Sequence, residues 1–276
     1  MSPIPVLTYH AFNISGDTYQ QNDHIAFATD LGDITELGWR VEPLHTVVDA
    51  YLGKIPPLPG KVLAITFDDA TNYDFEDLTH PSATGLQRSM LNIMRDFQAR
   101  HPGAQPHLHA TSFAIASPAA RQAIDKAAVF GNDWMQDAWW QEAVASELMD
   151  IANHSWDHTH DSVDPVAQRD QIKGNFFCID NEDDANAQIR RAAKYISGVA
   201  PNASVDLFAF PYGHTNPFLL ENFLRAQANS ALPCVRAAFT TEAGMITEAS
   251  NRWSLPRYVC GWHWHSPEEL REILNL

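Results

Sequence analysis

Two carboxylates stand side by side, Asp68 and Asp69, at the end of an apolar run, VLAITF at 62–67. Charge this close to buried aliphatic side chains requires a partner. His154 and His158, in NHSWDHTH at 153–160, follow a second apolar run and offer one. Four-residue spacing on a helical turn places both imidazoles on one face, close enough to share an ion. Two histidines and one carboxylate leave positions on a metal open for water and a substrate oxygen, the pattern of a catalytic rather than a closed structural site. The carboxylate next to the ligating Asp would then lie within reach of the water's proton as a general base. Asp157 and His160 carry the same donor types in the same segment, so spacing alone leaves the ligand set open. A third element is FAFPYG at 208–213, an apolar run into Pro-Tyr-Gly. This is a tight turn that aims backbone N–H groups beyond the strand, where an oxyanion could be held.

The elements that must position these residues are short apolar runs alternating with helical patterns. Strands are expected at Ile4–Tyr9, ending at His10, and at 62–67, 109–115, 148–153, 206–210 and 237–240. Helices are expected over 24–38, 86–100, 117–128, 136–149, 183–198, 217–230 and 267–275. Ser117-Pro118 and Ser266-Pro267 carry start signals, with Pro at the first helical position. Such alternation favours a parallel sheet covered by helices, either a barrel or an open sheet. Residues 71–84 read as a long loop directly after a strand end, where parallel α/β folds place function.

TFDDA at 66–70, HSWDH at 154–158 and FPYG at 210–213, in that order, resemble the three signature motifs of the polysaccharide deacetylases, the NodB-homology or carbohydrate esterase 4 family. ATSFAIAS at 110–117 and the run into the second motif resemble it too, and the likeness covers about residues 62–260. The resemblance implies an α/β fold, a distorted (β/α) barrel of about seven parallel strands, here a single catalytic domain over 1–276. It implies Asp68 as general base, Asp69, His154 and His158 as ligands of a divalent metal, and the Tyr212 backbone N–H in the oxyanion hole. The metal would be Zn2+ first, with Co2+, Ni2+ or Fe2+ as alternatives. The reaction would be removal of an N-acetyl or other acyl group from an amino sugar.

Two departures matter. The first motif has Ala70 where the family has Gly, and the third has Ala209 where the family has the Arg that orients the catalytic Asp. Arg257, inside the otherwise apolar SLPRYV at 254–259, is the candidate replacement, because burying it without a carboxylate would cost several kcal/mol. The leaving amine needs a general acid. The family's Leu-x-His strand is absent near the C-terminus, but VLTYH at 6–10, an apolar run that likewise ends in His, resembles it, as in relatives whose strand order looks circularly permuted. That makes His10 the acid, with His263 and His265 in reserve. Trp134, Trp139 and Trp140 read as helix core, and Trp156, between the two ligand histidines, is placed near the site.

The net charge of −16, from 34 acidic and 18 basic residues, argues against nucleic acid or an anionic membrane surface as partner. The expected partner is a carbohydrate or another acylated small molecule. No stretch of about 18 apolar residues forms a membrane span. The first ten residues, MSPIPVLTYH, lack a signal-peptide pattern, and three scattered cysteines make no disulfide framework. Both features lead to a cytoplasmic expectation. Competing readings are hydrolysis of a different amide, an ester or a cyclic imide, an iron oxygenase with two histidines and one carboxylate, and a non-catalytic glycan-binding relative.

Overall fold

The computed structural model describes residues 2–169, 173–228 and 234–275. Its strands in chain order are β1 (Ile4–Tyr9), β2 (Arg40–Val41), β3 (Val62–Asp69), β4 (Leu78–Thr79), β5 (Leu86–Gln87), β6 (Ala110–Ala114), β7 (Met149–Asn153), β8 (Leu207–Ala209), β9 (Ala237–Phe239), β10 (Met245–Ile246) and β11 (Tyr258–Val259). Pairing runs parallel from β1 through β3, β6, β7 and β8 to β9. On its other side β1 takes β11 in parallel and, at its start, β10 antiparallel. A parallel bridge between Phe239 and Leu255 joins the far end of the sheet to the segment leading into β11. Seven parallel strands therefore curl round until residues 255–259 close them, the distorted barrel expected from the motifs.

Strand alternation decides what faces inward. Val6, Ala64, Phe113, Ala152, Ala209, Ala237 and Phe239 form one apolar cluster inside the curl, and most of these side chains are small, as a narrow barrel requires. Leu7, Tyr9, Ile65, Phe67 and Ile151 belong to the larger cluster under the outer helices. By the same alternation Thr8 and Thr66, register partners, face inward and share a hydrogen bond of 2.9 Å. One step further along the two strands lie His10 and Asp68.

The helices that cover this sheet start as their caps dictate. α1 (Asp23–Glu36) is capped by Asn22, α3 (Met90–Arg100) by Ser89, and α4 (Pro118–Ala128) by Ser117, each side chain accepting a backbone N–H of the first turn. Ser266 caps Pro267–Leu274 in the same way. Two expected helices need correction. The helix at 136–149 shrinks to α5 (Trp140–Ala145), because the preceding loop is pinned first. The Asp125 carboxylate accepts the Asp133 and Trp134 N–H groups, and Asp137 accepts Arg121 and the Tyr195 hydroxyl. The helix begun at 86 starts at Met90, since Leu86 and Gln87 pair with β4 in a small ribbon within the long loop. The apolar segment 254–259 is regular strand only at β11, because Pro256 has no N–H to give a ladder. α2 (Leu44–Tyr51) was not foreseen; it follows Pro43 without a side-chain cap and so carries no start signal. Of the helix expected at 217–230, Phe218–Phe223 and Leu224–Gln227 are helical, and residues 229 and 230 lie outside the described residues. Among the described residues no helix is long and apolar enough to cross a membrane.

α1 is fastened to the barrel by a buried carboxylate. Asp30 accepts the hydroxyls of Tyr9 at 2.8 Å and Tyr19 at 2.6 Å, and the Trp264 indole N–H at 3.3 Å. Burial pushes its pKa up to about 7, against the pull of those three donors. An acid with a raised folded pKa holds a proton that the unfolded chain has released, so its stabilisation is lost as pH rises. The stability difference between wild type and Asp30→Asn should therefore fall between about pH 4 and pH 7 and stay flat above, as measured by urea unfolding at several pH values.

Candidate active site

The last inward residue of β3 is Asp68, and its neighbour Asp69 is carried to the barrel mouth by a reversal of the chain, with φ of 75° at Asp69 and 54° at Ala70. Arg257 enters from the segment that closes the barrel and is 0 % exposed. Its two terminal nitrogens donate to the two Asp68 oxygens at 2.7 and 2.8 Å, and Nε donates to the Thr240 carbonyl at 3.0 Å. The fork-on-fork geometry fixes the plane of the carboxylate. Burial works against ionised Asp68, but Arg257 first and His154 second outweigh it and hold its pKa far below the usual carboxylate range. The structure thus sets Arg257 where the sequence left an Arg missing at Ala209. Ala209 contributes instead through its carbonyl, which accepts the His154 Nδ1–H at 2.9 Å.

That bond leaves His154 Nε2 facing Asp69 at 3.6 Å, and His158 Nε2 faces the same Asp69 oxygen at 3.6 Å. One donor atom each from Asp69, His154 and His158 lies within 4.8 Å of the others. Two ligands at about 2.0–2.1 Å from one ion, at a tetrahedral angle, sit roughly 3.4 Å apart, so the observed spacing fits a shared cation. The chemistry of the donors fits as well. Burial, more than any neighbour, lowers His154 to about 4 and His158 well below its usual value, so both imidazoles are neutral with a lone pair to offer. Burial and then the charge of Asp68 push Asp69 up to about 7, a penalty that a bound cation would remove.

The two histidines do not share a helical turn. They sit in a loop with φ of 73° at Ser155 and 61° at His158, and the Ser155 hydroxyl accepts the His158 N–H at 3.0 Å. Asp157 is turned into the fold, where it accepts Thr159 N–H and Gln188 Nε2. His160 lines the cavity without joining the three-residue cluster. Six of the nine non-glycine residues with positive φ among the described residues are Asp69, Ala70, Ser155, His158, Thr159 and Tyr212. Backbone conformations of this kind persist only where the surroundings over-determine them, and here they converge on one spot.

His10 lines the same cavity, its backbone N–H bound to Asp23 at 2.8 Å. Burial lowers its pKa, with Asp68 opposing. His263 is turned to accept the Val259 N–H at 2.7 Å, and His265 faces Glu269 outside; neither lines the cavity. Tyr212 sits at φ 58°, its ring packed 4.4 Å from that of His158. Gly213 beside it has φ +69°, and a Cβ there would come within 2.1 Å of Thr241 Oγ1, so glycine is required. Trp139 and Trp140 are buried core, as expected, and Trp134 packs on Tyr73. Trp156 is not at the cleft; it lies 3.6 Å beneath the Arg191 guanidinium. The tryptophan that does line the cavity is Trp262, 65 % exposed. Sequence reasoning passed over it, although its position beside Gly261 in GWHWH marked an exposed turn.

A family model described as polysaccharide deacetylase matches residues 56–229. No curated protein matches the chain. Among solved structures, IcaB from Ammonifex degensii superposes with a TM-score of 0.65 at 22 % identity, covering 99 % of this chain and 97 % of that one. The Streptococcus pyogenes deacetylase PplD, solved in complex with acetate, gives 0.63 at 16 %, covering 99 % and 98 %. A de-N-acetylase from Aggregatibacter actinomycetemcomitans gives 0.61 at 14 %, covering 99 % and 100 %. At these identities the superpositions establish a shared fold.

The Asp68–Arg257 pair generates a stability prediction. Arg257→Met strands a buried carboxylate and should cost about 3–5 kcal/mol. Adding Asp68→Asn should restore part of the loss, so that the double variant is less destabilised than the sum of the singles. A double-mutant cycle by denaturant unfolding measures this, and additive losses would mean that the two groups are not coupled.

Proposed function

This chain belongs to the polysaccharide deacetylase family, and on that premise we propose that it hydrolyses the N-acyl amide of an amino sugar, acetyl being the simplest case, with a divalent metal, Zn2+ foremost. The observation that carries the reading is the juxtaposition of two differently tuned carboxylates. Asp68 is locked in its ionised form by Arg257, while Asp69 turns out to meet two neutral histidines. An ion held by Asp69, His154 and His158 supplies Lewis-acid polarisation of the amide carbonyl and acidity for the attacking water.

The chain's own groups do the rest. Asp68 takes the proton of the attacking water; Arg257 keeps it in the accepting form at every working pH and fixes where its oxygens point. The backbone N–H of Tyr212 faces the oxygen that becomes negative as the carbonyl carbon turns tetrahedral. His10, one step past the register pair Tyr9 and Phe67, is the group to donate to the departing nitrogen, which leaves as the free amine. Burial disfavours its charged form, and the nearby Asp68 carboxylate opposes that effect and supports the protonated imidazole as the reaction proceeds. Trp262 offers a flat, exposed face at the entrance on which a sugar ring can stack.

Asp68→Asn should lower kcat for acetate release by about 10²–10⁴ while the chain still binds one ion, since removing a general base costs that much. His154→Ala should lose ion and turnover together. Enzymatic acetate detection beside metal analysis of the same samples distinguishes the two, and wild-type turnover in either variant would overturn the assignment.

A further inference from the structure

Beside the catalytic cavity lies a second one of about 440 Å³, and the two share Phe12, Asn13 and Ala128 in their walls. Phe12 and Asn13 reach that position through a turn that starts at the candidate acid, since the Asn13 N–H donates to the His10 carbonyl at 2.9 Å. Ser15, Gln20 and Gln21, ahead of α1, line the second cavity together with His80 and Phe130. None of these residues belongs to the three motifs. Much of this lining faces water: Asn13, Ser15, Gln20, Gln21 and Ala128 are exposed, and Phe130 is 55 % exposed. Phe130 also has φ of 68°, a conformation that a bulky side chain adopts only at a cost. The turn after α4 holds it there. The Gly131 N–H donates to the Asp125 carbonyl at 2.8 Å, and the Asp133 N–H to the Asp125 carboxylate at 3.0 Å. The His80 ring meets that of Phe130 at 79°, with centroids 5.1 Å apart.

Of the six large hydrophobic side chains exposed among the described residues, Phe130, Tyr212 and Trp262 line these two cavities. An exposed aromatic face flanked by carboxamides and a hydroxyl suits a pyranose, which has apolar C–H faces and a rim of hydroxyls. The place of the second cavity says which pyranose. On the deacylase reading above, on which the inference rests, the amide nitrogen turns toward His10. The sugar is bonded to that nitrogen, so the glycan lies on the His10 side of the reacting carbon. A glycan continuing from the deacylated sugar passes Phe12 and Asn13 and enters the second cavity. We infer that the protein acts on an oligosaccharide and that this cavity takes the sugar next to the one deacylated. That sugar stacks on Phe130, with its hydroxyls toward Ser15, Gln20 and Gln21.

The test compares the methyl glycoside of N-acetylglucosamine with those of its β(1→4)- and β(1→6)-linked dimers, using the Zn2+-loaded protein and following acetate release. The better dimer should exceed the monosaccharide on the order of tenfold in kcat/KM, mainly through KM, the factor that one good aromatic contact supplies. In Phe130→Ala that advantage should vanish, and in Phe130→Trp it should persist. Ser15→Trp, which fills the second cavity from an exposed position, should remove the advantage with the Phe130 face intact. The ratio of dimer to monosaccharide, taken within each variant, cancels any loss of folded protein. Dimers cleaved no better than the monosaccharide, or an advantage that survives either Phe130→Ala or Ser15→Trp, overturns the second sugar site and leaves the deacylase reading standing. Acetate from none of the three compounds overturns both.

Discussion

A guanidinium and a carboxylate locked together in the interior, Arg257 on Asp68, hold the rest of the structure to its shape. Neither group is tolerable there alone. Arg257 sits in the segment that joins β9 to β1 and so closes the barrel, and its Nε is tied to Thr240 just past β9. Its terminal nitrogens reach the inward end of β3. The same contact that satisfies a buried charge therefore fixes the circumference of the barrel at its mouth and the plane of the carboxylate that faces the cavity.

The mouth then works by contrast between neighbours. Asp68 and Asp69 are adjacent in sequence, yet one follows the strand's alternation into the barrel and the other is swung out by two residues in left-handed backbone. Burial works against ionisation of both carboxyls; Arg257, bonded to Asp68, reverses the effect there, but at Asp69 it only weakens it. Asp69, with two neutral imidazoles opposite, is left needing a cation from outside. The fit of this cluster to a cation thus follows from the same ion pair, because Arg257 is engaged with Asp68 and leaves the charge of its neighbour uncompensated.

Much of this was legible in the sequence, for identifiable reasons. Fully buried strands of a parallel sheet are continuous apolar runs, so 4–9 and 62–67 declared themselves, and the charged or titratable residue ending each run marked the mouth. Ser-Pro caps announced two helices. An Arg in an apolar segment had to find a carboxylate, and Asp68 was the one whose motif lacked its Arg. What stayed hidden depended on tertiary contacts. The loop before α5 is held open by Asp125 and Asp137, whose partners are distant in sequence or set by local backbone turns. The two histidines converge through left-handed backbone at Ser155 and His158, although a helical turn would give the same spacing. Trp156 and Trp262 exchanged places because nothing in a local pattern says that Arg191 will cover one and leave the other exposed.

The account as a whole depends on the cluster of Asp69, His154 and His158 holding an ion that the hydrolysis needs. The direct test is to strip the purified chain with a chelator, titrate it with Zn2+, and record bound metal and acetate release from N-acetylglucosamine oligomers on the same samples. The account predicts turnover that rises in proportion to bound ion and saturates at one ion per chain. Undiminished turnover in the stripped chain, or saturating ion without any release of acetate, would contradict it.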